Sequence, residues 1–389
     1  MDKESASLVS AIALNAIFGN EPKFSHRLID ALGSAEAVFA LSGRERLELF
    51  GPYNGRAARI GPAALDAAAE EYARLSAGGV QFLSIFDAAY PALLRECPDA
   101  PLLLYVRSAT PAEELFGGRP AVAIVGTRDQ SLYGRECCRR IVQALAGAPA
   151  RPVIVSGLAY GVDVTAQAAA LEEGLPTIGV SPVGVDEVYP RRHTAFVERM
   201  TATPGCALVT DYPPGTAPAP FTFLRRNRII AGLAGATVLV ESRIKGGGMI
   251  TARLAAGYGR EVFAVPGRID DVRSQGCNLL ITQQLAASAS DPTALPVALG
   301  LGRLRRTRSA DLETAVRQRF ATALPSAETD RLVRIAELVR RERGICFDEI
   351  CRALALDYAA VARSAGMLEE EGFLQVDLLQ RCTINTKNA

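Results

Sequence analysis

A regular series of short apolar segments most constrains how this chain can fold. AVAIVG (Ala121–Gly126) and VIVSG (Val153–Gly157) are continuous apolar runs, as expected for strands buried on both faces. TIGVS, CALVT, TVLVE and EVFAVPG continue the series, and helical patterns separate its members. Strands that alternate with helices predict an α/β fold, a doubly wound and mainly parallel sheet with helices on both faces.

The segments before this series predict further elements. Apolar runs at Val80–Ile85 and Leu102–Val106 suit two more strands, so we assign residues 81–288 to the sheet domain. Residues 1–80 are expected to form a small helical domain, because apolar residues recur there at helical spacing. Breakers at Gly19-Asn20 and Gly51-Pro52 separate the short helices.

The end of the chain changes character. Residues 289–326 are interpreted as a linker, a solvated segment with Arg303, Arg305, Arg306 and Arg308. Residues 327–389 show three helical stretches followed by a hairpin pattern, which predicts a winged-helix domain. Such domains contact DNA or dock proteins, and both alternatives stay open, because Arg363 is the sole basic residue on the third helix.

Composition excludes several function classes. The formal charge is +1, which is compatible with nucleic-acid binding if a basic surface is offset elsewhere. The N-terminus lacks a signal-peptide layout and no apolar run reaches bilayer length, so we expect a cytoplasmic protein. The eight cysteines form no CxxC pair and there are two histidines, so the sequence predicts no metal site.

Glycine, small hydroxyl and basic residues recur just after the predicted strands. Ligands of open α/β sheets lie at the carboxyl ends of the strands, where glycine permits close backbone approach and arginine matches phosphate oxygens. In "RRNR", cations also crowd the start of an apolar helical stretch, a position that favours a bound anion. The predicted phosphate-binding residues are Gly126, Thr127, Arg128, Ser156, Gly157, Arg191, Arg192, Arg225, Arg226, Arg228, Lys245 and Gly247.

The phosphate is not predicted to belong to a nucleotide cofactor or to ATP. The sequence GTRDQSLYG after the first strand of the series lacks GxGxxG, and no GxxxxGK[ST] loop occurs. Neither histidine has a readable nucleophile partner. Asp163 is expected to brace a helix start and Glu241 to orient one of the arginines. We therefore expect no catalytic residue and no cofactor.

Five motifs in this order resemble one known family. They are IVGTRDQSLYG, SGLAYGVDVTAQAAAL, VDEVYPRRH, FLRRNRIIAGL and GGGMITARLAAGYGREVFAVPG, and the resemblance extends over about residues 80 to 286. This pattern resembles the DNA-processing protein A family (DprA, also called Smf). The resemblance implies a Rossmann-like core with accessory domains, here an N-terminal domain of the SAM or helix-hairpin-helix type and a C-terminal winged helix.

The resemblance also implies a function. Family members are non-enzymatic, bind single-stranded DNA in natural transformation (competence), form homodimers through the core, and help load the recombinase RecA during recombination. By motif, Arg128, Ser156, Gly157, Arg191, Arg192, Arg226 and Arg228 would hold the DNA backbone.

The chain departs from the family pattern at a few positions. Gln167 replaces a histidine, His193 an asparagine, Gly247-Gly248 a Ser-Gly pair, and Gln284-Leu285 a Gly-Ala pair. Two rival interpretations remain at this stage: an enzyme of the nucleoside-monophosphate phosphoribohydrolase type, suggested by Glu241 near three glycines, and a DNA-independent scaffold.

Overall fold

The chain folds into two compact units, residues 1–305 and 306–389, in a computed structural model. The structure describes residues 3–51, 53–302, 312–321, 324–342, 344–377 and 380–384. Arg303, Arg305, Arg306 and Arg308, which we predict to be part of a linker, lie outside the described residues.

The first unit contains a large sheet and its covering helices. Its strands are β1 (Val80–Ser84), β2 (Leu103–Arg107), β3 (Ala121–Val125), β4 (Val153–Ser156), β5 (Thr177–Val180), β6 (Ala207–Thr210), β7 (Ala236–Leu239), β8 (Glu261–Ala264) and β9 (Ala287–Ser288). Its helices are α1 (Lys3–Phe18), α2 (Pro22–Leu32), α3 (Ala35–Ala40), α4 (Gly43–Phe50), α5 (Pro62–Ala77), α6 (Ala92–Arg95), α7 (Ala112–Leu115), α8 (Leu132–Ala146), α9 (Val162–Glu172), α10 (Thr194–Ala202), α11 (Pro220–Leu233), α12 (Gly247–Gly257), α13 (Gln275–Thr282) and α14 (Leu295–Ala298). Short 3₁₀ helices cover Ala57–Arg59 and Arg191–His193.

The sheet has the strand order β1-β2-β6-β5-β4-β3-β7-β8-β9. Strands β3 to β9 pair in parallel, whereas β1 and β2 form an antiparallel edge. The chain leaves β3 toward β4 on one side and returns to β7 on the other, so the strand order reverses beside β3. The predicted α/β class with a mainly parallel sheet is confirmed; the two-residue strand β9 was not predicted.

Alternating side chains of the strands build two cores. Val122 and Ile124 of β3 face one layer with α8 and α9, while Ala123 and Val125 face the other with α11 and α12. This arrangement follows from continuous apolar strands, which must be covered on both faces. Among the described residues, no helix is long and apolar enough to cross a membrane.

The N-terminal helices cover the antiparallel edge of the sheet. Val9 and Ile12 of α1 pack with Leu103 and Tyr105 of β2. The Asn15 side chain donates a hydrogen bond to the Asp211 carbonyl, 3.0 Å away, just beyond β6. These helices are therefore fixed directly against the sheet within the first unit.

The second unit is a smaller α+β assembly. Its elements are α15 (Leu312–Phe320), α16 (Ser326–Arg341), β10 (Ile345–Cys346), α17 (Phe347–Leu354), α18 (Tyr358–Glu370), β11 (Leu374–Val376) and β12 (Arg381–Ile384). The strands form an antiparallel sheet in the order β10-β12-β11. Helix α15 falls within the residues interpreted as a linker, and its Val316 and Phe320 join the core of this unit.

Candidate nucleic-acid interface

A cleft of about 600 Å³ opens at the carboxyl ends of β3 and β7. It is bounded by the turn Gly126–Arg128 after β3, by Ser242 and Arg243 after β7, and by the first turns of α11 and α12. The strand order reverses between these two strands, which is the place where open α/β sheets bind ligands. Of the predicted residues, the cleft brings together Gly126, Thr127, Arg128, Arg226 and Gly247.

Glycines allow the walls of the cleft to come close. A Cβ on Gly126 would lie 2.5 Å from the Val162 side chain and 2.9 Å from the carbonyl oxygen of Glu241. A Cβ on Gly248 would lie 2.7 Å from the Leu239 side chain. Gly246 precedes α12 and supplies no capping side chain, so the first N–H groups of this helix can donate to an anion in the cleft.

An arginine and two aromatic rings form part of the cleft rim. The exposed Arg128 guanidinium lies 4.8 Å from the centroid of the Phe223 ring, within cation–π range. Phe223 also contacts Tyr189 edge-to-face, with their centroids 5.3 Å apart. The rim therefore offers a free cation beside an aromatic face, which suits a phosphate and its neighbouring base.

Arg243 is a cleft residue that was not among the predicted phosphate-binding residues. It is exposed, lines the cleft, and lies 3.9 Å from Asp129 at its closest approach. Its position directly after β7 was the available signal. Lys245 is also exposed on this loop but does not line the cleft.

Arg226 forms part of the cleft floor. Its side chain is almost fully buried, and its Nη1 atom donates to the Val180 carbonyl at 2.8 Å. A Cβ on Gly157 would lie 1.7 Å from Nη1, so Gly157 serves to admit this guanidinium. Burial lowers the pKa of Arg226 to about 10, which leaves the group protonated at neutral pH. Ser156 is fully buried beside it and donates to the Ile124 carbonyl.

Asp163 compensates the charge of Arg226. This carboxylate lies in the first turn of α9, and its hydrogen-bond partners include the backbone of Gly157 and Ala159. Burial raises the pKa of the Asp163 carboxyl, while the charge of Arg226 opposes that rise. As expected, Asp163 braces a helix start.

The side chains of Arg225 and Arg228 do not line the cleft. The Arg228 side chain is buried and pairs with Asp211 and with the Asp99 carbonyl. Arg225 donates to the Gly19 carbonyl at 2.7 Å and to the Asn20 side chain. Arg225 and Arg228 are three residues apart and so share one face of α11, whereas Arg226 lies about 100° from Arg225 and about 200° from Arg228 and faces the cleft.

Two family departures act together on one turn. Gln167 Oε1 accepts from the Leu158 N–H at 3.2 Å, and His193 Nδ1 is 2.8 Å from the Leu158 carbonyl oxygen. Leu158 has a φ of 58°, so both contacts hold a left-handed residue directly after Gly157. Beside His193, Arg191 and Arg192 are exposed on the short 3₁₀ helix next to Tyr189, outside the cleft lining.

The expected role of Glu241 is wrong. Its carboxylate accepts from the backbone N–H and the hydroxyl of Ser131 and so fixes the start of α8, rather than orienting an arginine. A Cβ on Gly134 would lie 2.2 Å from this carboxylate, which shows how closely α8 is seated. Glu241 is buried and its carboxylate is bonded to Ser131. It is therefore not available as the catalytic carboxylate that the phosphoribohydrolase interpretation requires.

Comparison with known proteins assigns the family. The model of the family described as DNA recombination-mediator protein A matches residues 81–298, more than half of the chain. The chain belongs to this family. The resemblance to the DprA/Smf family found in the sequence is thereby confirmed.

Individual family members agree with this assignment. Protein Smf of Synechocystis sp. is 33% identical over 309 residues, which cover 75% of this chain and 76% of that protein. DNA processing protein DprA of Streptococcus pneumoniae is 38% identical over 213 residues, covering 54% and 72%.

Solved structures of family members share the fold. The X-ray structure of the S. pneumoniae DprA aligns with a TM-score of 0.56 and 30% identity, covering 76% of this chain and 95% of that one. The Helicobacter pylori DprA, whose structure is described as revealing its single-stranded DNA binding mode, aligns with a TM-score of 0.50 and 28% identity, covering 56% and 95%.

Proposed function

We propose that this protein binds single-stranded DNA at the cleft between β3 and β7, without catalysing a reaction. The main support for this proposal is the contact of Arg128 with Phe223. It lies in the same cleft as the start of α12, where no side chain caps the helix. A phosphate between Arg128, Arg243 and the first N–H groups of α12 would meet positive charge from three directions. The neighbouring base would stack on Phe223, a contact that tolerates any base.

The wider role follows the family. We propose a cytoplasmic homodimer that protects incoming single strands in natural transformation and assists loading of RecA. The similarity to the S. pneumoniae and H. pylori proteins supports the DNA-binding part of this role. We also propose that residues 1–80 act as an accessory helical domain, 81–288 as the DNA-binding core, 289–326 as a linker and 327–389 as a winged helix.

The predicted residues take different roles under this proposal. Arg128 and Gly247, with Arg243 added, would contact the strand at the cleft, and Lys245 would bind it just outside, on the loop that carries Arg243. Arg191 and Arg192 would extend the phosphate contacts past Tyr189. Arg226 would act from the floor, whereas Arg225 and Arg228 would support the surrounding structure.

A salt titration tests the proposal. If about six phosphates are neutralised, the logarithm of the affinity for oligothymidine should fall with the logarithm of salt concentration at a slope of about −4. Arg128→Ala should weaken binding of all sequences alike and flatten this slope by about 0.7. Phe223→Leu should weaken binding with little change in slope, because stacking releases few counterions.

A matched control is Arg140→Ala. Arg140 is exposed on α8 and is paired with Glu136 at 2.7 Å, so its loss should leave both affinity and slope unchanged. Equal affinity for duplex and single strands would count against the proposal. Release of free base from a nucleoside monophosphate would instead support the rival enzyme.

A further inference from the structure

A second groove adjoins the cleft on the far side of the first turn of α11. It encloses about 500 Å³ between α2, α11 and α12, and its lining includes Lys23, Arg27 and Leu254. Leu224 lines both this groove and the cleft. The two spaces are therefore neighbours across a single exposed side chain.

Two cations of the groove are available for a ligand. Lys23 and Arg27 are exposed and one turn apart on α2, so they share a face. Within the described ranges, neither has a carboxylate at ion-pair distance, and Arg27 Nε donates to the Lys23 carbonyl at 3.3 Å. These two charges can therefore meet an anion without breaking an existing ion pair.

The acidic groups of the groove are already engaged. Glu21 pairs with Arg56 on the segment after α4. Asp99 accepts from the Tyr258 hydroxyl at 2.7 Å through Oδ1 and from Arg228 through its carbonyl. Asp99 keeps its charge, but Lys23 and Arg27 are two exposed cations of the same groove, so the balance at the groove surface is positive.

The walls are apolar and fixed. Phe24 and Leu224 stand on opposite sides, and Leu224 is 48% exposed. Arg225 links α11 to the turn between α1 and α2 through its hydrogen bond to the Gly19 carbonyl. A groove that combines apolar side chains with exposed cations fits a chain that carries flat rings and phosphates.

We propose that single-stranded DNA leaving the cleft crosses Leu224 and continues in this groove, where Lys23 and Arg27 bind its phosphates. The inference rests on the proposed function and extends it to the N-terminal helices. Continuity with the cleft through Leu224 favours DNA over an acidic protein segment as the occupant.

Oligothymidines of two lengths test the inference, about 5 and about 20 nucleotides, since single-strand sites span about 4–16 nucleotides. Lys23→Ala/Arg27→Ala should weaken binding of the long strand about tenfold at low salt and flatten its salt slope by about 1.4. Binding of the short strand should not change. Lys23→Glu/Arg27→Glu should enlarge the effect on the long strand, and both variants should retain the wild-type thermal transition.

Controls separate this inference from the proposed function. Arg128→Ala should weaken binding of both lengths, and Arg44→Ala/Arg140→Ala, which removes two other exposed cations, should weaken neither. Unchanged binding of the long strand by the α2 variants overturns the inference. An equal loss of affinity for the short and the long strand would also overturn it. Loss of polyglutamate binding with unchanged DNA binding would assign the groove to an acidic protein segment instead.

Discussion

Arg228 and Asp211 form an ion pair inside the protein, with only 6% and 4% of their side chains exposed. Arg226, two residues earlier on the same helix, reaches the floor of the cleft instead. One short arginine-rich sequence therefore supplies both a structural cation and a site cation. The buried pair joins the loop after β6 to α11 and so positions the helix whose first turns form the cleft rim.

Removing Arg228 should destabilise the protein. Arg228→Ala leaves the Asp211 carboxylate buried without its cation, so the free energy of unfolding should fall by about 3–5 kcal/mol. Urea unfolding monitored by circular dichroism measures this change. Arg128→Ala is the control, because Arg128 is exposed. In the same experiment it should change the free energy of unfolding by less than about 0.5 kcal/mol. A stable Arg228→Ala variant with lost DNA affinity would show that Arg228 binds DNA directly.

Gly157→Ala should disturb the cleft floor. The new methyl group would overlap Arg226 Nη1, so the guanidinium must leave its bond to the Val180 carbonyl. We expect a loss of about 1–3 kcal/mol, the usual cost of overpacking, and weaker DNA binding. Gly247→Ala is the matched stability control, because nothing lies within 4 Å of its added Cβ. Equal stability of the two variants would contradict this account.

Local patterns predicted the strands and the edge of the sheet that carries the cleft. The run AVAIVG shows a buried strand without further information, and Gly126 and Arg128 follow it directly. The partners of the arginine side chains could not be predicted, because these partners are distant in sequence. Arg228 is neutralised by Asp211, 17 positions away. Arg225 keeps its charge but is bonded to the carbonyl of Gly19, more than 200 positions away.

Glu241 was misassigned for the same reason. Its position after β7 suggested an arginine partner, but its actual partner, Ser131, lies 110 residues away at the start of α8. The pairing follows from the parallel alignment of β3 and β7, which places their following loops side by side. Strand order decides such contacts, and the sequence patterns predicted the class of sheet but not the order of its strands.

Gln284→Gly should stabilise the end of the core. Gln284 follows α13 with a φ of 56°, and its N–H donates to the Ile281 carbonyl. This left-handed conformation costs a residue with a side chain about 1 kcal/mol of conformational free energy, whereas glycine adopts it without that cost. The free energy of unfolding should rise by about 0.5–1 kcal/mol in urea titrations. Gln283→Gly is the control: Gln283 has a negative φ of −78°, so glycine relieves nothing there and should lower the free energy of unfolding.

His26 should make stability depend on pH. Burial lowers the pKa of its imidazole below the usual 6.5, outweighing a hydrogen bond to Ala100 and the charges of Asp30 and Asp99, while the charge of Arg228 acts with burial. The unfolded chain therefore binds a proton at a higher pH than the folded chain. The stabilisation is complete above about pH 6.5 and is lost as the pH falls through the folded pKa. The melting temperature should thus decrease between about pH 7.5 and 5.5, and His26→Asn should reduce this decrease. An identical pH profile for the variant would exclude His26 as its source.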